Sequence, residues 1–383
     1  MERRTRRDTL RLGAGLGAAA VGARLVGPIR RSASAGPPPI QGPPLRTLAD
    51  KIGLHVGAPF WIRHNSGPDD PDLGALCRRE FNTSILYHGW GAFEPAPGVW
   101  VPDEPFYQRY KLLGADNVVL YGVVDPIGVA GPFAMPEWLK GMSRSATIDA
   151  LQRYVAAVVE WGKGKISSIV LVGETNSAPG WDILYDTLGL EYVEIAFTTA
   201  RRTDPSAVLG YGDFNNHTKA MNRYLVTKQI VDRLKGLKLI DFVGIECFVW
   251  APWSWNRDEI IDCFQSYGLP IAITEFAVLM KEIQGSTEYR YQYEADIYRT
   301  FFGAALESGV CGDFILGSPC DGLGGVDDPA SGMPGAIPQN EPFPFDGQLR
   351  PKPAYYAMQS VLQEAVDRKF PYRRSVPLLS SDR

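Results

Sequence analysis

Two glutamates close short apolar runs in this sequence. Ser167-Ser-Ile-Val-Leu-Val-Gly173 leads into Glu174-Thr175-Asn176, and Pro270-Ile-Ala-Ile-Thr274 leads into Glu275. A carboxyl group at the end of a buried strand is expensive to desolvate unless it is used. Two of them facing each other across a sugar-sized cleft are what acid-catalysed acetal cleavage requires. One donates a proton to the leaving oxygen, and the other stabilises or captures the oxocarbenium-like centre. The pair therefore points to glycosidase chemistry. Either glutamate alone reads equally well as a structural salt-bridge partner, but two in corresponding strand-end positions weigh against that reading.

The elements that must position this pair follow from the hydrophobic pattern. From residue 50 onward, short β-type apolar runs alternate with longer amphipathic stretches. Eight strands are predicted: Gly53–Gly57, Thr83–His88, Asn117–Val124, Ser167–Val172, Ala207–Asp213, Phe242–Phe248, Pro270–Phe276 and Gly312–Leu316. Helical patterns lie between them, among them 147–161, 190–203, 219–234 and 289–306, with a last one at 353–366. The predicted fold class is α/β, a (β/α)8 TIM barrel forming a single catalytic domain, with Glu174 after the fourth strand and Glu275 after the seventh. A doubly wound open sheet is the alternative, but no Gly-x-Gly-x-x-Gly turn follows an early strand.

Charge and composition narrow the function. Residues 1–35 carry eight Arg against Glu2 and Asp8, and the remainder has 31 basic and 41 acidic residues. That balance offers no electrostatic footprint for nucleic acid and suits a neutral or cationic substrate. Thr5-Arg6-Arg7-Asp8-Thr9-Leu10-Arg11 precedes an apolar stretch from Leu12 to Val26, broken by Arg24 and too short to span a bilayer, and then Ala33-Ser34-Ala35. The segment resembles a twin-arginine export signal, so a secreted, periplasmic or cell-envelope location is expected. The predicted layout is a signal peptide at 1–35, a Pro-rich linker at 36–47, the barrel at 48–366 and a tail at 367–383. Five cysteines are an odd number without Cys-x-x-Cys spacing, and the four histidines lie far apart. Neither a disulfide framework nor a metal or other cofactor is expected, and the mature protein is expected to be a monomer.

Several segments carry a family resemblance in order and spacing: Arg79-Glu-Phe-Asn82, Glu94-Pro95-Ala-Pro-Gly98-Val-Trp100, Met135-Pro-Glu-Trp138, Asp204-Pro205, Gly212-Asp213-Phe-Asn215, Ile240-Asp241-Phe-Val-Gly244-Ile, Ile273-Thr274-Glu275 and Pro351-Lys352-Pro353-Ala354-Tyr355-Tyr356. From about Leu45 to Ala357 the chain resembles a divergent glycoside hydrolase family 10 member, the retaining endo-β-1,4-xylanases. The resemblance implies Glu174 as acid/base and Glu275 as nucleophile, acting on a β-linked polysaccharide such as xylan. It also exposes departures. Leu86-Tyr87-His88-Gly-Trp90 is shorter than the family's segment after the second strand. Tyr121-Gly122 replaces Trp-His, and Gly173 replaces the Asn that binds the sugar 2-hydroxyl. Glu246 and Phe248 replace Gln and His, and Leu316 and Ser318 replace two Trp. These changes fall in the subsite that grips the reacting sugar, so a carbohydrate-binding protein with lost or re-specified activity is the alternative function.

The candidate substrate-binding residues are Tyr87, His88, Tyr121, Asn176, Glu246, Phe248, Trp250 and Trp253. His88, Tyr121 or Asn176 could supply the missing donor to the sugar. Glu246 reads either as a third acidic group bonded to the nucleophile or a sugar hydroxyl, or as a satisfied strand residue. Trp250, Trp253 and Trp255 form either a platform on which sugar faces stack or a hydrophobic plug in a loop after the sixth strand. Asp213 and Asn215 are expected to order the mouth. Ser318–Phe345, rich in Gly and Pro, reads as a long irregular loop after the eighth strand.

Overall fold

The computed structural model describes residues 40–60, 70–87, 89–125, 135–175, 182–323, 326–327 and 337–368. The expected export signal, residues 36–39 of the linker and residues 369–383 of the tail lie outside them. Eight parallel strands close into a barrel in sequence order: β1 (His55–Gly57), β2 (Thr83–Tyr87), β3 (Asn117–Val124), β4 (Ser168–Gly173), β5 (Leu209–Phe214), β6 (Phe242–Trp250), β7 (Ile271–Leu279) and β8 (Cys311–Leu316). Closure comes from β1 pairing with β8, His55 opposite Asp313 and Gly57 opposite Ile315. The open-sheet alternative is thereby excluded.

Helices form where the apolar spacing meets capping residues. Ser143 caps the helix Arg144–Gly162 by accepting from Ala146 N–H, and Ser286 does the same for Thr287–Glu307 through Tyr289 N–H. Asp70 with Pro71 opens Pro71–Glu80, and Asn256 opens Arg257–Ser266. The helix predicted from Lys219 starts only at Tyr224. The first predicted strand is also shortened, because Gly53, at φ +72°, terminates the helix Leu45–Ile52.

Two buried layers result. The larger packs the outward side chains of the strands against the helices. The smaller fills the barrel interior with Ile85, Val119, Tyr121, Val170, Val208, Phe242, Ala272 and Ile315. Strands β6 and β7 run past the expected mouth, pairing Phe248 with Ala277 and Trp250 with Leu279. All five cysteines are free and buried.

The irregular chain after β8 is tied down by ions. Lys352, 2% exposed at its side chain, contacts Glu294 at 2.8 Å and Asp321 at 3.1 Å and donates to Glu341 O at 2.8 Å. Burial pushes Glu294 up to about 8 and Asp321 up to about 7 even though Lys352 opposes the shift. Removing one member leaves buried charge without a partner. Lys352→Met is therefore expected to cost about 3–5 kcal/mol in urea unfolding at pH 8. The deficit should shrink at pH 5, where the two carboxyls take up protons.

Candidate active site

The acid end of the site is built on β4. Glu174 follows the buried run 169–173 and adopts φ +46°, a left-handed conformation that a residue with a Cβ holds only when its surroundings impose it. Its N–H still donates to Gly212 O at 3.1 Å, so the pairing with β5 carries into the turn. The next residue is clamped from both sides. Thr175 Oγ1 bonds Tyr211 Oη at 2.8 Å, and Thr175 O accepts from Arg223 at 2.7 Å. Arg223 also grips Asp213 through two 2.9 Å bonds, and Thr227 donates to the same carboxylate at 2.8 Å. Asp213 thus orders the mouth from below, and Asn215 closes the strand at φ +48°.

The opposite wall is β6 and β7. Ile245 pairs with Ile273, but Glu246 pairs with Glu275, so the register skips Thr274. Side chains alternate along a strand, and this one-residue bulge places the two glutamates side by side on the same face. Glu246 is 3% exposed, whereas Glu174 and Glu275 are half-buried. Tyr121 on β3 donates its hydroxyl to Glu246, and Glu174 and Glu246 lie close enough to share a proton. Tyr87 on β2 donates to Thr274 O at 3.5 Å, which sets its hydroxyl beside Glu275, and the two tyrosine rings are 5.5 Å apart.

Five strands therefore bring together Tyr87, Tyr121, Glu174, Glu246 and Glu275. Their crowding sets the protonation. Burial, then Glu246 and Asp125, holds Glu174 well above the usual carboxylate range. Burial and Glu275 do the same to Glu246, opposed by the hydrogen bonds from Tyr121 and Glu174. Burial lifts Glu275 to about 7, with the Tyr87 bond pulling down and Glu174 pushing up.

Space for the phenol of Tyr121 depends on glycine. A Cβ at Gly212 would come within 2.9 Å of Tyr121 Oη and 2.7 Å of Val170, and one at Gly173 within 3.3 Å of the same oxygen. Tyr121 therefore fills the region in front of Gly173.

The remaining candidates divide. Phe248 lies two residues beyond Glu246, half-buried on the same face. Trp250 is the last residue of β6 and not part of the following loop, with Lys281 Nζ 4.7 Å above its ring. The strand reaches it because β7 continues alongside. Trp253 is 40% exposed, while Trp255 packs on Phe301 at 5.1 Å and donates to Trp250 O at 3.1 Å. The indole cluster is thus a plug at Trp255 and an open ring at Trp253. His88 and Asn176 lie outside the described residues. Trp90, in the segment after β2, is a core residue stacked on Tyr154 at 4.4 Å.

Two contributors escaped the sequence reading. Asp125, one residue past β3, acts on Glu174, Glu246 and Glu275, and the strand-end rule that found Glu174 also applies to it. Arg223 has no signal of its own, because its role comes from a turn that returns to the barrel mouth.

The model of the family described as Glycosyl hydrolase family 10 matches residues 133–361. Among curated relatives, endo-1,4-beta-xylanase B of Thermotoga neapolitana is 28% identical over 347 residues, covering 85% of this chain and 93% of that protein. Endo-1,4-beta-xylanase A of Humicola insolens is 27% identical over 344 residues, covering 83% and 86%. Among solved structures, native xylanase 10B from Thermotoga maritima superposes with a TM-score of 0.71 at 24% identity, covering 85% of this chain and 99% of that one. The endo-1,4-beta-xylanase XylE of Penicillium canescens gives 0.73 at 20% identity, covering 84% and 98%.

The electrostatics make a stability prediction. Glu275 has an ordinary value of 4.5 that the fold raises to about 7, so between those values the folded state binds the proton more tightly than the unfolded chain. Its contribution is complete below pH 4.5 and is lost as pH rises through 7. Thermal melts from pH 4 to pH 8 should show a shallower decline over that window for Glu275→Gln than for the wild type.

Proposed function

The chain belongs to glycosyl hydrolase family 10, and from that premise we propose that it is a retaining endo-β-1,4-xylanase-like enzyme in which Glu174 is the acid/base and Glu275 the nucleophile. The observation that carries the assignment is the difference in how the two carboxyls are bonded. Glu174 is crowded by Glu246 and held as a proton-bearing acid, whereas Glu275, lowered by the Tyr87 hydroxyl beside it, is the more readily ionised of the two. In the first step Glu174 protonates the glycosidic oxygen as Glu275 forms a bond to the anomeric carbon and the leaving sugar departs. In the second, Glu174 takes a proton from water, whose oxygen displaces Glu275 and restores both groups. Two inversions at one carbon give net retention.

Xylan is the substrate that the named relatives support, since both curated relatives above are endo-1,4-beta-xylanases. With Gly173 in place of Asn, the grip on the reacting sugar passes to the half-buried Tyr87 and Phe248, while Tyr121, buried with its hydroxyl on Glu246, supports the wall behind them. Trp253 is suited to stacking on a sugar farther along the chain, because its ring is open to solvent beside the mouth. Export by a twin-arginine route and action as a monomer complete the reading. The order of basic, apolar and small residues in 1–35 supports export.

Reducing-end release from xylan by the purified barrel should fall about a thousandfold or more in Glu174→Gln, within the range general acid–base catalysis contributes, and at least as far in Glu275→Gln, which removes the nucleophile. Proton NMR should show the β-anomer formed first. Undiminished release by Glu275→Gln would sink the assignment. A tagged full-length copy that stays in the cytoplasm with residues 1–35 uncleaved would sink the export proposal.

A further inference from the structure

Glu246 has no role in the two-carboxyl scheme, yet it is the most buried of the three glutamates and sits between the other two. It neighbours Glu174 on one side, pairs in register with Glu275 on the other, and is oriented by the Tyr121 hydroxyl. Two carboxyl groups can hydrogen-bond only when one carries the proton. Tyr121, whose phenol burial keeps protonated, already donates to Glu246. That bond and the one shared with Glu174 are what oppose protonation of Glu246, so the acceptor role falls to Glu246 and the shared proton to Glu174.

We propose that Glu246 is a positioning residue for the acid/base: its carboxylate, fixed by Tyr121, accepts the hydrogen bond of protonated Glu174 and holds that proton in the site until a glycosidic oxygen replaces Glu246 as the acceptor. The proposal rests on the catalytic roles given to Glu174 and Glu275. Its atoms balance in both steps. When Glu174 gives its proton to the leaving oxygen, two carboxylates are left in contact. Their repulsion makes Glu174 a stronger base for the proton of the attacking water, and recapture of that proton restores the starting pair.

The unit is built for the purpose. Tyr121 reaches from β3 across β4 and β5 to β6, and it can do so because Gly173 and Gly212 leave its hydroxyl room. The other groups acting on the pair are Asp125 just past β3, Asp213 on β5 and Glu275 on β7, with the Tyr87 hydroxyl on β2 beside Glu275. Arg223, the cation of this wall, is committed to Asp213 and Thr175 O. With an amide in place of Glu246, the negative charge beside Glu174 disappears, and Glu174 should release its proton at lower pH.

The test is Glu246→Gln beside the wild type, with Tyr121→Phe as a second variant that removes one oxygen and leaves the carboxyl in place. On xylan, the alkaline limb of kcat/KM should move down by about one pH unit in Glu246→Gln, the lower end of what a neighbouring charge produces. Tyr121→Phe should move it in the same direction. The loss at pH 7 should be at least tenfold smaller on 2,4-dinitrophenyl β-xylobioside, whose leaving group departs without a proton. An unmoved alkaline limb in a variant that melts like the wild type would overturn the proposal, as would equal losses on both substrates. Carbon-13 NMR titration of the glutamate carboxyls reads the same coupling without any substrate. There Glu246→Gln should lower the Glu174 midpoint by about one unit. A shifted midpoint in a protein that cleaves no glycan would locate the failure in the proposed function, and an unshifted midpoint would locate it in the role of Glu246.

Discussion

Three carboxyl groups held within one end of a closed barrel repel each other and lose hydration together, and the site can exist only if protons and hydroxyl donors offset both effects. The fold supplies these in a fixed arrangement. Tyr121 donates to Glu246, the Tyr87 hydroxyl sits beside Glu275, and burial with the neighbouring carboxyls raises the proton affinity of Glu174. Each tyrosine comes from the wall opposite its partner, β2 and β3 facing β6 and β7. Barrel closure is thus part of the electrostatics, since an open sheet would leave those walls on different edges.

The same crowding explains why the turn after β4 is so heavily tethered. Glu174 occupies a left-handed backbone position, and a charged or proton-bearing side chain there would swing away from its neighbours if the turn relaxed. Thr175 is held by Tyr211 and by Arg223, and Arg223 is anchored to Asp213 below the mouth. The strain at one residue is therefore sustained by a hydrogen-bonded network on β5 and the chain that follows it. Asp213 contributes by ordering Arg223 rather than by facing a sugar.

Farther out, the molecule separates rigid support from exposed contact surface. Trp255 packs into Phe301 and His217 and fixes the loop after β6, which leaves Trp253 presented to solvent. The chain after β8 is pinned by Lys352, Glu294 and Asp321. Buried ions of this kind contribute little net stability but are costly to break singly, so they define where that chain sits.

Much of this was legible in the sequence. Runs such as Ser168-Ile-Val-Leu-Val and Ile271-Ala-Ile-Thr are buried on both faces and bounded by turns, and eight of them alternating with capped amphipathic helices determined a (β/α)8 barrel. Glu174 and Glu275 stood out because a carboxyl after an apolar run is costly unless used. Strand ends were less legible, since β6 and β7 are extended by pairing with each other and not by their own composition. For Glu246, readable as a third acidic group at the site or as a satisfied strand residue, the bulge at Thr274 decides the placement, setting it beside Glu275. A one-residue step in register reverses which side chains share a face, and no local pattern records it. The slot for Tyr121 between two glycines is likewise a relation among three strands. Sequence periodicity is local to one element, whereas proton affinity and side-chain room depend on distances through space.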